Sequence, residues 1–401
     1  MSLLCASPLS PLDKVNDFGK GSPTFSALLS PLEGQLPHLP PLVSGSNRPL
    51  TYTFDYQIRG LVYYHIETFS SALDLLQATE RDMFVNRLLV PETGLGQSTF
   101  YEANATRGAD QMLVLFKRLY KKARKIAPIA YGDLGDLVAV DGSLIDACLS
   151  MTWADYRNHA NKVKMHTGFD LNRNIPKTLA FTDGNGAERP FVSEFVAPGQ
   201  TAVVDRGYLD YSLFDQWINQ GRHFVARVRA NIVYEVIEHL PFEKGSSIFL
   251  FAKVTLGDKA HRMDHALYLV GFKADGKIYY IVTDRSDLTA GQIAFIFSLR
   301  WAIETFFAWW KRHMKLYHLI SRNEHGVLIQ LTASLITYLL LVIYFHRRYQ
   351  KAPSVELLRE LRWKIRHEAH TDTDVTVCIY IDIGPQLLAL LWLWPNRHAI
   401  F

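Results

Sequence analysis

The chain has 401 residues, beyond the roughly 250 to 300 at which a single hydrophobic core stops growing, so it divides into more than one packed unit and is no small module. Its 48% hydrophobic and 20% charged residues exclude general disorder. A balance of 43 Lys and Arg against 39 Asp and Glu leaves +4, which by itself names no partner.

Eight of the 17 prolines precede residue 50 (Pro8, Pro11, Pro23, Pro31, Pro37, Pro40, Pro41 and Pro49), which predicts a loose proline-rich arm over 1–50. Pro8 and Pro11, without an early basic cluster, speak against a secretory leader. The widely spaced Cys5, Cys148 and Cys378 offer neither a zinc spacing nor a disulfide framework, so the chain reads as cytoplasmic. Over 56–79, Ile58, Leu61, Val62, Ile66, Phe69, Leu73 and Leu76 recur at helical spacing, and a second such run covers 110–125. Between them, Gly94-Leu-Gly-Gln-Ser98-Thr-Phe-Tyr-Glu102 predicts a turn and then a helix capped by Ser98, a unit able to enter a groove. Residues 51–130 therefore read as a helical domain.

After Pro128 short β-branched runs predict strands at 137–140, 162–169, 177–182 and 201–204, followed by an amphipathic helix at 211–220 and a strand at 223–229. This is an α/β layer. Four further alternating segments (232–237, 247–254, 265–272, 277–282) read as an inserted β unit over 231–286. Helical periodicity returns at 288–317, 327–349 and 354–367. Segment 327–345 is apolar enough to raise a membrane span, but Gln330, Thr332, Ser334, Thr337 and Tyr338 favour a buried core helix.

Two carboxylates sit where apolar strands run into glycine turns: Asp141 in Val-Ala-Val-Asp141-Gly, and Asp205 in Ala-Val-Val-Asp205-Arg-Gly-Tyr. Either alone can cap a turn; two at strand ends can meet in space. On the late helix, Phe297, Arg300, Glu304 and Lys311 fall within about 60° of one another, and the flanking Trp301, Ile303, Phe306, Phe307 and Trp310 place Glu304 at a half-buried site. Charge is segregated: 107–125 holds seven Lys or Arg against Asp110, and 300–366 holds twelve against four Glu, as a polyanion-binding face requires. Lys164 and His166 lie on the second strand beside the two aspartates with an open role, and His313 and His318 show no metal-protease spacing.

These motifs resemble the DDE transposases of the bacterial insertion-sequence family four. That family's pattern is an Asp ending the first strand, Asp-Arg-Gly-Tyr after the fourth, and Tyr-x2-Arg-x3-Glu-x6-Lys on a late helix. The chain has Asp141, then Asp205-Arg206-Gly207-Tyr208, then Arg300, Glu304 and Lys311 at that spacing, with Phe297 in the tyrosine's place and so without its hydroxyl. The resemblance covers about residues 56–350. It implies an α/β fold with a ribonuclease H-like mixed sheet flanked by helices, built from 131–230 and 287–350. The β insertion at 231–286 would lie between the second Asp and the Glu, the helical region 51–130 would bind DNA ends, and a helical region would fill 351–401.

It further implies Asp141, Asp205 and Glu304 as the catalytic triad and as ligands of two Mg²⁺ ions, with Mn²⁺ as a substitute. Arg206, Phe297, Arg300, Trp301, Lys311, Lys315, Ser98 and Arg107 become candidate DNA contacts, Trp301 by stacking on a displaced base. For Arg300 and Lys311 a salt bridge to a neighbouring acid is the plainer alternative. The partners expected are double-stranded DNA, as terminal inverted repeats and target, and a second copy or larger assembly, with no membrane, in the bacterial cytoplasm at the nucleoid. The reaction expected is metal-dependent cleavage and strand transfer. Alternatives are a nuclease on the same fold and a non-catalytic DNA-binding descendant.

Overall fold

The computed structural model describes residues 21–42, 49–148, 150–154, 156, 160–258 and 261–370. Nine strands, β1 (Leu137–Ala147), β2 (Asn161–Asp170), β3 (Ile175–Asp183), β4 (Thr201–Val204), β5 (His223–Val228), β6 (Tyr234–His239), β7 (Ile248–Leu256), β8 (Leu267–Ala274) and β9 (Lys277–Thr283), pair into one mixed sheet. Their order is β3-β2-β1-β4-β5-β9-β8-β7-β6. The three central strands β1, β4 and β5 run parallel, and the other pairings are antiparallel. All four residues of β4 are buried, as expected of a central parallel strand covered on both faces. The segment expected as an inserted β unit hydrogen-bonds through β9 onto β5, so β6 to β9 extend the same sheet.

Twelve helices are described: α1 (Pro23–Glu33), α2 (Phe54–Glu67), α3 (Ala72–Arg81), α4 (Met83–Leu89), α5 (Gln97–Thr106), α6 (Ala109–Ile126), α7 (Arg189–Phe195), α8 (Tyr211–Asn219), α9 (Ala290–Leu299), α10 (Trp301–His313), α11 (Glu324–Tyr349) and α12 (Val355–His370). Strand alternation splits the core in two. Val138, Val140, Ala202 and Val204 face α7 and α8 through Val192, Phe195, Phe214 and Trp217. Leu137, Ala139 and Val203 face the larger core shared with α1 to α6 and α9 to α12.

Helix α11 is the hub of that larger core. It is buried on nearly every side from Gly326 to His346 and packs against α6, α2, α5, α1 and β3. By length and composition both α11 and residues 290–313 could cross a membrane, but 89% of the most apolar stretch of α11 is covered by protein, the setting of a core helix.

Several expectations are corrected. Residues 23–33 of the proline-rich segment are helical: Pro23 occupies the first turn, where its missing N–H costs nothing, and Phe25, Leu28, Leu29 and Leu32 bury the helix. Pro31 leaves the Ala27 carbonyl without its usual donor, and the Ser30 hydroxyl donates to it at 3.0 Å. Of that segment, 1–20 and 43–48 lie outside the described residues, as does 371–401 of the expected C-terminal helical region. The helix over 56–79 is two helices, broken where Thr68 takes a left-handed conformation (φ 58°). Helix α5 is capped by Gly96, and Ser98 stands exposed inside its first turn, not at the cap.

Candidate active site

Strand β1 continues through Asp141 for six more residues, so this carboxylate sits in mid-strand and not at a strand end. No turn interrupts the strand here. Gly142 keeps its place in β1, where a Cβ would come within 2.6 Å of Lys164 and 2.7 Å of Glu188. By the pleat Asp141 shares its face with Leu137 and Ala139, the face that carries α10. Residues 137, 138 and 139 pair with 201, 202 and 203, so both aspartates follow the last paired residues of two adjacent parallel strands, Asp141 within β1 and Asp205 just past the end of β4.

The third acid arrives from α10. Helices α9 and α10 meet at Arg300, whose backbone is helical (φ −55°, ψ −31°) but bonded one residue short: its N–H donates to Phe297 and its carbonyl accepts from Ile303. This turns the guanidinium inward. Arg300 Nη2 lies 2.6 Å from Glu304 Oε1, and Nη1 lies 3.7 Å from Asp141 Oδ2, with the side chain only 10% exposed. One cation thus bridges two of the three acids. Asp205 is 3.7 Å from Arg227 Nη1, and its buried Oδ1 accepts no hydrogen bond. Lys311, two turns beyond Glu304, donates to the Leu144 carbonyl of β1 at 3.2 Å.

Burial pushes the Asp141 carboxyl up to about 6; the Gly142 N–H and Arg300 oppose the shift, and Glu188 and Glu304 add to it. Burial also holds the Tyr208 hydroxyl well above its usual range, with Glu188 and Asp141 reinforcing it. Tyr208, of the Asp-Arg-Gly-Tyr motif, is therefore a neutral wall of the site. His166 is buried, stacked on Phe191 at 4.1 Å and hydrogen-bonded to Thr182 at 2.8 Å. Burial, with Lys164 beside it, lowers its pKa to about 4, so it is a neutral core residue rather than a phosphate contact.

Other expected contacts are dispersed. Phe297 is 7% exposed, packed against Tyr279, with the Arg300 guanidinium 5.8 Å from its ring. Arg300 itself is ion-paired with the acids, the plainer of its two expected roles. Trp301 projects into solvent at 65% exposure, and Arg206 is exposed next to Asp205. Lys315 follows α10 in a left-handed turn (φ 53°), while Ser98 and Arg107 mark the two ends of α5.

One member of the cluster was not anticipated. Glu188 precedes α7 and is held 2.5 Å from Lys164, against the backbone of Gly142. Pro190 signals a helix start there, but no local pattern links Glu188 to Asp141.

The arrangement fits hard divalent cations by donor chemistry: it comprises carboxylate oxygens, one of them orphaned on Asp205, and two others already compensated by a positive group. As arranged, no three His, Cys, Asp or Glu side chains among the described residues stand close enough to hold one ion. The Arg300 guanidinium stands between Asp141 and Glu304 instead.

The family model described as "Transposase DDE domain" matches residues 133–340, which contain all three acids. The chain belongs to the transposase DDE domain family. A probable transposase for insertion sequence element IS5377 of Geobacillus stearothermophilus is 29% identical to this family member over 194 residues, 48% of the chain and 52% of that relative. The chain thus spans about half the length of that relative. A putative transposase for insertion sequence element IS4SA of Synechocystis is 24% identical over 301 residues, 72% of the chain and 83% of the relative. A solved piggyBac transposase synaptic complex with hairpin DNA aligns with 98% of this DDE-domain chain and 87% of its own, at 14% identity and a TM-score of 0.41.

Proposed function

We propose that the chain is a DNA transposase that binds the ends of a mobile element, cuts there, and joins the freed 3′-hydroxyls to target DNA. The observation that carries this reading is Glu304 tied to Asp141 through Arg300, with Asp205 just past the end of the parallel strand that pairs with β1, inside the matched segment. The order β3-β2-β1-β4-β5, with β1, β4 and β5 parallel, supports a ribonuclease H-like core, to which β6 to β9 are an addition between the second Asp and the Glu.

Asp141, Asp205 and Glu304 are the ligands of two Mg²⁺ ions, replaceable by Mn²⁺. Held there, such ions would supply the positive charge that activates an attacking hydroxyl and offsets the leaving oxygen of an in-line displacement at phosphorus. Arg300, now paired with Asp141 and Glu304, would contact phosphate beside the acids, which its planar fork suits. Lys311, Lys315 and Arg206 neutralise the backbone beside the cut, Trp301 stacks on a base, and Ser98 and Arg107 on α5 contact the element end. Two copies act on two ends, in the bacterial cytoplasm. The test is incubation of the chain with Mg²⁺ and duplexes carrying the element's own terminal repeats: cut and joined products are expected. Cutting with no joining would make it a nuclease, and binding with neither would leave a non-catalytic DNA-binding protein.

Titration of Asp141 gives a second expectation. Its carboxyl is raised in the folded chain from 3.8 to about 6, so the stability it contributes to the metal-free protein is full below 3.8 and lost as pH rises through 6. Divalent cations compete with that proton, so their affinity falls as pH drops through the same value. Glu188→Gln removes a negative neighbour and shifts this pH midpoint downward. Mn²⁺ calorimetry from about pH 5 to about 8 measures it, and an unmoved midpoint would uncouple Glu188 from the site.

A further inference from the structure

Helix α12 lies outside the family-matched residues and carries a patch that the triad chemistry does not use. Leu358, Leu361 and Ile365 bury one side of it; Arg359, Arg362, Trp363, Arg366 and His367 recur at helical spacing on the other. With Thr68, these five line an open pocket of about 540 Å³. Arg362 is anchored, donating to the carbonyls of Ile66 and His313, so it ties α12 to the ends of α2 and α10. Arg366 is paired with Glu67 at 2.5 Å. Arg359 and, on α10, Arg312 are exposed at the same place. Their charges converge: after burial, what lowers the pKa of His313 is Arg362, Arg312 and Arg359 together.

Trp363 gives the patch a second chemistry. Its ring is 61% exposed yet held flat on His367, with centroids 4.8 Å apart and planes within 10°. A fixed, solvent-facing indole beside arginines suits a planar ring attached to a phosphate chain, because every base offers a face to stack and every linkage an anion to neutralise. The distance is also informative. His313 is nine residues past Glu304 on α10, about 14 Å along the helix, or roughly four nucleotide steps of 3.4 Å.

We infer that the α12 patch binds the DNA strand flanking the cut, with Trp363 stacking on an unpaired base and Arg359 and Arg312 contacting its phosphates. This rests on the reading of the chain as a DNA-acting enzyme and extends it to a surface beyond the triad. The experiment uses the full chain and fluorescence anisotropy on two duplexes, one blunt and one with a short single-stranded tail, the tail carrying 2-aminopurine. The tailed duplex is expected to bind about tenfold more tightly, with 2-aminopurine quenched. Trp363→Ala abolishes the preference and the quenching, Trp363→Phe keeps most of both, and Arg359→Gln lowers the salt slope by about one. Equal binding of the two duplexes by the wild-type chain, or a preference and quenching that survive Trp363→Ala, overturns the inference alone. No binding of either duplex by the wild-type chain overturns the DNA-acting reading, and this inference with it.

Discussion

Asp141→Asn, Asp205→Asn and Glu304→Gln are each expected to lower Mg²⁺-dependent strand cleavage by about 10³-fold or more, while binding of end duplexes changes little. The size reflects the several kcal/mol of transition-state charge stabilisation that metal ions supply, at about 1.4 kcal/mol per tenfold in rate. The amides keep the shape of each side chain but remove the charge that holds a cation. Asp205 is the sharpest case, because its buried Oδ1 has no hydrogen-bond donor to lose and its ion pair with Arg227 is long, at 3.7 Å. Gel assays of nicked and joined products with anisotropy alongside measure both quantities. A variant that cuts at the wild-type rate would take that residue out of the mechanism.

Trp310→Ala is expected to cost about 3 to 5 kcal/mol of stability, the range for emptying a large aromatic site in a packed core. Trp310 is fully buried on α10, stacks with Phe306 at 6.1 Å and donates its indole N–H to Ser334 of α11 at 3.0 Å. It thereby fixes the helix bearing Glu304 to the hub of the fold. Denaturant unfolding should show the loss directly. Cleavage in the still-folded fraction should fall as well, because Glu304 is no longer held against β1. Full cleavage activity in a clearly destabilised variant would mean that α10 is positioned by Arg300 and Lys311 alone. Trp310→Phe should retain most of the packing and lose the hydrogen bond, separating the two contributions.

Local pattern carried much of the architecture. Strand β4 was legible to the residue at 201–204 because four apolar residues between turn signals have one reading, and α6, α11 and α12 emerged from sustained helical periodicity. Helices α4 and α7, of seven residues each, are too short for periodicity to register. Proline counting failed at α1, where burial of Phe25 and Leu28 outweighs the penalty of Pro31 near the helix end. Gly142 suggested a turn after Asp141, whereas its small size admits Lys164 and Glu188 against an unbroken strand.

The identities of Asp141, Asp205 and Glu304, and the strand or helix that bears each, were contained in the order of residues, since backbone period and flanking apolar runs are local properties. That the two aspartates follow adjacent strands depended on the β1–β4 pairing, and the Arg300 bridge on the packing of α10 over that sheet face. The same is true of Glu188 and of the Arg–Trp patch on α12, whose partners come from remote parts of the chain. Such pairings are decided by the summed burial and hydrogen bonding of the whole fold, which no window of neighbouring residues contains.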